Sequence, residues 1–300
     1  MMLTAAALAT ALPGVLPNVP PSMLANGVNN ALPLVPPSLA EIKSFLWAWA
    51  FTQPRLLAMI TLLPVFNQQL IPSLLRYAIA GAFGLFAAPL VLSTFPTQEI
   101  SAVTLLAVVV KEAFVGFVMG YFFAIPFWLF QAIGFFIDNQ RGASIGATLD
   151  PLTGNDSSPL GEMFLQAFIV FLLTAGGLQL ILGSLYDSYR LWPIFTWMPV
   201  LSEASVPLML DQLDRLVRMA VVLASPVLIV MFMAEIGLAL ISRFVPQLQV
   251  FFIAMPVKCA LAFMVLSMYI GTLLFRTEDI VVELHSVLPF LNDQWHRATN

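Results

Sequence analysis

The chain has 300 residues, 60% of them hydrophobic and only 9% charged, with a mean hydropathy of +0.93. Soluble domains carry about a quarter charged residues, so this composition belongs to an integral membrane protein. The net charge of −4 is dispersed and contains no basic run, which excludes a nucleic-acid partner; the single cysteine, Cys259, lies in an apolar run and reads as small buried filling, with neither a disulfide nor a thiolate metal cluster available.

Residues 1–40 carry no charge and are rich in proline: Pro13, Pro17, Pro20, Pro21, Pro33, Pro36 and Pro37. They lack the basic region of a secretory signal and cannot hold a long helix, so they are expected to form a flexible extension. The membrane part follows over residues 41–275. Its first apolar region, Phe45 to Phe66, contains Pro54 and Arg55; the pair suggests a break, and the arginine needs a partner or a route to water. Ile71 to Phe95 comes next, with Arg76 near enough to its end to snorkel.

Ile100 to Ile137 is too long for a simple crossing. About 38 helical residues would extend about 57 Å, against a hydrocarbon core of about 30 Å, so Pro126 is expected to mark either a bent helix or a hairpin. Met163 to Leu185 reads as a clean span containing Gly176 and Gly177. The aromatic stretch from Tyr186 to Asp214, with Tyr189, Trp192, Phe195 and Trp197, suits an interfacial belt or a subunit contact. Leu216 to Leu240, broken by Pro226, and Val250 to Phe275, containing Pro256, complete six apolar regions of an all-α membrane protein. Residues 276–300 form a charged, amphipathic tail. The placement of Pro126 against Pro226 or Pro256 hints at an internal repeat, and lysines and arginines are too scattered for the positive-inside rule to orient the chain.

Between the third and fourth regions lies a polar segment, Ile137 to Glu162, IDNQRGASIGATLDPLTGNDSSPLGE. Lipid offers irregular backbone no hydrogen-bond partners, so the segment belongs at the water boundary or in a protein-lined cavity. Asp138 and Arg141, three apart, can pair across one helical turn. Asp150-Pro151 and the run Asn155 to Pro159 read as turn chemistry rather than as a carboxylate pair with Glu162. No hydrolase, zincin or nucleotide-binding motif is present, and His285 and His296 lie in the tail. Catalysis, metals and cofactors are therefore not expected.

The remaining ionisable residues near the spans are Lys111, Glu112, Glu235, Arg243 and Lys258. Lys111 and Glu112 are adjacent and point about 100° apart on a helix, so each is expected to meet another helix or subunit. Glu235 is two turns from Arg243, too far to pair. These charges fit a polar conduit or assembly interface as well as they fit the water boundary. Gly116 and Gly120 form a GxxxG expected to pack closely, whereas the one at Gly142 and Gly146 reads as loop flexibility.

The stretch Asp138-Asn139-Gln140-Arg141-Gly142-Ala143-Ser144, followed by Leu149-Asp150-Pro151-Leu152 and Ser158-Pro159-Leu160-Gly161, resembles the signature of the T subunit of the type III secretion export apparatus. This is the SctT family, called YscT, HrcT or SpaR in different systems, with FliR as its flagellar relative. The resemblance extends over about Leu46 to Phe275, and DNQRGAS favours the secretion branch over the flagellar one. It implies a non-enzymatic, multi-pass protein of the bacterial inner membrane. It also implies assembly with R and S subunits into a helical export gate, one T copy per complex, in contact with further export-apparatus subunits and with unfolded secreted proteins in transit.

The family's polar segment closes the channel as a plug. On this chain that implies a plug over about Gly142 to Ser158, with Gly146, Asp150, Pro151 and Gly154 in its body, Asp138 to Arg141 as its base and Pro159 at its exit. A pore-lining or intersubunit role follows for Lys111, Glu112, Glu162, Glu235, Arg243 and Lys258. Residues 1–40 depart from the family pattern, as a lineage-specific extension or an upstream start with Met23 the alternative. A small-solute transporter coupled through Glu235 or Lys258 is the competing reading.

Overall fold

A computed structural model describes residues 39–67, 71–94, 101–142, 158–196, 205–244 and 250–284. The chain divides into a short unit, residues 1–44, and a main unit, residues 45–300. The described residues are helical and contain no strand. In chain order the helices are α1 (Leu39–Leu62), α2 (Ser73–Leu92), α3 (Ala102–Arg141), α4 (Pro159–Thr174), α5 (Gly177–Leu191), α6 (Ser205–Phe244) and α7 (Val250–Leu284), with a 3-10 turn at Pro64–Phe66. Residues 1–38 of the expected extension lie outside the described set, and its last two, Leu39 and Ala40, begin α1. The boundary expected at residue 276 falls inside α7, and residues 285–300 are also outside that set.

α3 is the mast of the main unit. Its 40 residues extend about 60 Å, twice the hydrocarbon thickness. Apolar residues over most of its circumference are buried, among them Val115, Met119, Phe123, Phe127 and Ile133, while Leu106, Val110, Phe117 and Phe135 are exposed along one stripe, so the helix is apolar on its packed and its open side alike. α4 and α6 pack along it, and α7 packs on α6. Pro126 does not divide it: α3 is one helix, and the hairpin alternative is not what forms. Pro54, Pro226 and Pro256 likewise sit inside continuous helices, so the expected breaks at Pro54 and Pro226 do not occur. In an apolar environment a chain that leaves the helix exposes several unbonded backbone groups, whereas an internal proline forfeits one hydrogen bond, so the helix continues.

The break falls instead where a clean span was expected. Gly176 adopts φ +78°, and α4 and α5 meet there at 73°. A left-handed residue ends a helix, and glycine adopts that conformation without strain. Gly177 is constrained as well, because a Cβ there would lie 2.5 Å from Leu172 Cγ.

The broken pair still runs the length of α3. Gly161 abuts Gly134, where a Cβ would lie 2.4 Å from the Gly161 nitrogen. Phe168 packs on Phe127 and Phe130, with centroids 4.9 and 4.6 Å away. Beyond α5, Ile194 reaches Lys111. From residue 134 to 111 is about 35 Å along the helix, so the pair traverses rather than turning back. With it the described helices long and apolar enough to cross a membrane number five; without it they are four, in α2, α3, α6 and α7.

The GxxxG at Gly116 and Gly120 is a packing contact. A Cβ at Gly116 would lie 2.1 Å from the Arg55 carbonyl oxygen, and one at Gly120 would lie 3.1 Å from Met59 Cα. The backbone of α1 thus rests directly on α3, and Arg55 is delivered to its centre.

Candidate functional site

Two polar clusters sit on α3. The first closes the base of the central segment. α3 ends at Gly142, whose φ of +84° lets its N–H bond the Asn139 carbonyl at 3.1 Å. One turn earlier, Asp138 is buried with a relative exposure of 3%. Its Oδ1 pairs with Arg141 Nη2 at 2.7 Å. Its Oδ2 accepts from Ser158 Oγ at 2.7 Å and from the Leu160 N–H at 2.9 Å. Ser158 caps α4 by accepting from the Gly161 N–H at 3.0 Å, and Pro159 occupies the first helical position, where its missing N–H costs nothing.

One carboxylate therefore holds the last turn of α3 and the first turn of α4, and both ends of segment 143–157 meet at it. Ala143, Ser144, Gly146, Asp150, Pro151 and Gly154 lie outside the described residues, so their expected roles rest on sequence alone. Asn139 contributes its carbonyl, and its side chain is exposed.

Other charges near the base find partners within the chain. Glu235 on α6 pairs with Lys258 on α7 at 3.0 Å. Both reach the end of α3: Gln140 Nε2 donates to Glu235 Oε2 at 3.1 Å, and Lys258 Nζ donates to the Gln140 carbonyl at 3.4 Å. The Arg141 guanidinium lies over the Phe263 ring, 5.5 Å from its centroid. Glu162 accepts from Gln131 at 3.1 Å. Arg243 is exposed in the last turn of α6 and stands apart from this group.

The second cluster is built on Arg55, fully buried and not among the residues singled out as site candidates. Its Nε lies 2.7 Å from Glu112 Oε2 and its Nη2 lies 3.0 Å from Oε1, a two-pronged contact of the kind guanidinium favours. Nη1 donates to Ser188 and Nη2 also to the Trp192 carbonyl, both at 3.0 Å, and the guanidinium lies 4.2 Å from the Tyr189 ring centroid.

Lys111 does pair with its neighbour, Nζ to Glu112 Oε1 at 2.9 Å. The angular offset of adjacent residues is overcome by the long lysine stem, drawn in by three carbonyls, those of Pro193, Ile194 and Thr196 at 3.1, 2.6 and 3.2 Å. Two cations against one carboxylate leave an excess positive charge. The carbonyls just beyond α5, at the negative end of its dipole, face it.

Tyr189 and Tyr186 are likewise tied inward rather than forming a belt. Their hydroxyls donate to the carbonyls of Thr52 at 3.0 Å and Phe83 at 3.3 Å. Arg76, expected to snorkel, is buried. Among the described residues, no group of three or more His, Cys, Asp or Glu side chains is arranged to hold a metal ion.

Residues 46–284, nearly the whole helical part, match the model of the family "Bacterial export proteins, family 1". The chain belongs to this family. It is 40% identical over 217 residues to Yop proteins translocation protein T of Yersinia pestis, covering 72% of this chain and 83% of that one. It is 33% identical over 213 residues to surface presentation of antigens protein SpaR of Salmonella typhimurium, covering 71% and 78%. Over 216 residues it is 28% identical to flagellar biosynthetic protein FliR of Bacillus subtilis, covering 71% and 82%.

The resemblance carried by DNQRGAS is thereby established: this is a member of the type III secretion T-subunit family, an export-apparatus protein. Of these three relatives the two secretion proteins share more identities with it than the flagellar one does, in the direction that motif indicates. The apolar helices and the family together make it a multi-pass inner-membrane protein.

Arg55 was within reach of sequence reasoning. An arginine inside one apolar run is too costly to bury unpaired, and a glutamate inside another apolar run, even with a lysine beside it, is a candidate partner for it. Ser158 was legible too, as a serine followed by proline at the head of an apolar run.

Proposed function

We propose that this protein is a non-enzymatic core subunit of a type III protein export channel in the inner membrane, built with R and S subunits and present once per complex. Unfolded secreted proteins pass through the channel, and residues 142–158 close it at rest. The observation that carries this reading is the double anchorage on Asp138. A polar segment whose two ends converge on one buried carboxylate projects from a fixed point at the end of the mast helix, as a pore closure requires. A boundary loop has no need of a desolvated anchor shared by both of its ends.

The names of the relatives, which speak of translocation and flagellar biosynthesis, support the export role. Family membership also speaks against the small-solute transporter.

The test is replacement of residues 143–157 by a short Gly-Ser linker in the complex co-purified with its R and S partners. The ends are close enough for such a linker, because Asp138 touches both. An assembled complex that leaks small ions in a planar bilayer supports the closure. Unchanged conductance refutes it, and loss of assembly instead identifies the loop as a clamp on a partner subunit.

A further inference from the structure

Among the described residues one buried cation has no counterpart. The inward face of α2 is made of small residues, Ala80, Gly84, Ala87 and Ala88, and Arg76 stands at its head with a relative exposure of 6%. Its Nε and Nη2 are buried and bond no acceptor. The other two buried cations, Arg55 and Lys111, share Glu112, but among the described residues no carboxylate pairs with Arg76. A buried charge is tolerated only beside an opposite charge or a full set of hydrogen bonds, so this guanidinium calls for an anion.

The end of the helix that it occupies adds to the demand. α2 starts at Pro72 without a side-chain cap, and its first turn contains no acidic residue. The Arg76 N–H bonds the Pro72 carbonyl at 3.1 Å, and the N–H groups of Ser73, Leu74 and Leu75 ahead of it have no intrahelical acceptor. A helical side chain leans toward the N-terminus of its helix, so the guanidinium and the positive end of the helix dipole fall together. Pro72, Ser73, Leu74 and Leu75 are exposed, which leaves this end open to its surroundings.

Those surroundings follow from the length of α2. Its 20 residues are apolar enough to cross a membrane and extend about 30 Å, the thickness of the hydrocarbon core. A span of that length puts its first turn at the headgroup layer. Beside Arg76, Leu74 is 81% and Tyr77 60% exposed, an apolar contact for acyl chains and a phenol of the kind that favours the interface.

We propose that Arg76 and the uncapped first turn of α2 bind the phosphodiester of a membrane phospholipid. A phosphodiester carries one negative charge, which matches one guanidinium, and its oxygens accept from both the guanidinium and the helix N–H groups. The bound headgroup neutralises the buried charge and fixes the depth of α2 in the bilayer.

The test is thermal melting of the full chain, wild type and R76M, in a neutral maltoside detergent freed of phospholipid. Dioleoylphosphatidylglycerol, dioleoylglycerol or inorganic phosphate is then added. Without lipid R76M should melt above the wild type, because it removes an uncompensated charge. Phosphatidylglycerol at a hundredfold excess over its dissociation constant should raise the wild type by roughly 5 °C, past R76M, which should not move. An equal rise in both proteins, or an equal rise of the wild type with dioleoylglycerol, overturns the site, since the gain then comes from lipid elsewhere. A rise of the same size with inorganic phosphate alone overturns the lipid as its ligand. A wild type that ignores phosphatidylglycerol overturns the proposal, and loss of the R and S subunits from the R76M complex then gives the arginine to a carboxylate of a neighbouring subunit.

Should R76M fail to fold, R76K decides, because an ammonium keeps the charge and loses the two-pronged geometry. Native mass spectrometry should show one phosphatidylglycerol retained by the wild type and an affinity about tenfold lower in R76K. Equal retention by the two overturns the site.

Discussion

Replacement of Glu112 by glutamine tests the buried cluster most directly. Among the described residues Glu112 is the one anion paired with Arg55 and Lys111, and it takes three contacts of 3.0 Å or less from them. Glutamine keeps the shape but leaves two cations in a site from which water is excluded. Removing one partner of a buried pair costs about 3–5 kcal/mol, which lowers the folded-to-unfolded ratio by two to more than three orders of magnitude at about 1.4 kcal/mol per decade.

The protein carries its own control. Arg218 and Asp214 approach equally closely, at 2.7 Å, but their side chains are 74% and 63% exposed. Replacing Asp214 by asparagine should cost less than about 1 kcal/mol. Thermal melting of the purified protein in one detergent reads both variants. R55M/E112L should be less destabilised than the sum of its single changes by about 2 kcal/mol or more, since it removes Arg55 together with its carboxylate and leaves one cation, Lys111, on its three carbonyls. Equal losses in E112Q and D214N, or strict additivity in the double variant, would refute the assignment of this cluster as a desolvated ionic bolt.

Other changes separate the packing from the anchors. Gly116→Ala drives a Cβ into the Arg55 backbone and should cost about 1–3 kcal/mol or more, whereas Gly237→Ala, with nothing within 4 Å of its new Cβ, should be neutral or gain up to about 1 kcal/mol in the same melting assay. Ser158→Ala removes the cap of α4 and one of the Asp138 donors, so a loss of about 1–2 kcal/mol is expected in the melt, together with a higher resting conductance of the assembled complex. Arg141→Ala should raise that conductance more than Thr153→Ala, since Arg141 holds Asp138 at the base; equal effects would remove Arg141 from the closure.

Much of the local chemistry was legible in the residues themselves. The Asp138–Arg141 pair, the Gly116–Gly120 contact and the turn at Ser158-Pro159 each involve neighbours within four positions or small side chains whose role is to let backbone approach. Sequence spacing encodes such features because helical geometry is local. The interruptions were read less well. Proline is a conspicuous helix breaker in water, yet Pro54 and Pro226 do not break their helices, while Gly176, inside an apparently clean span, ends one by turning left-handed.

By itself the sequence determined the membrane class, the helical architecture, the polar loop and, through DNQRGAS, the family. Each of these depends on composition or on a short contiguous pattern. Only the tertiary structure decided where the charges go: Arg55 to Glu112 across 57 positions, Gln140 to Glu235 across 95, and both ends of the loop to Asp138. A buried ion settles on whichever opposite charge packing brings within reach. Which one that is depends on how the helices stack, and no short stretch of sequence records it.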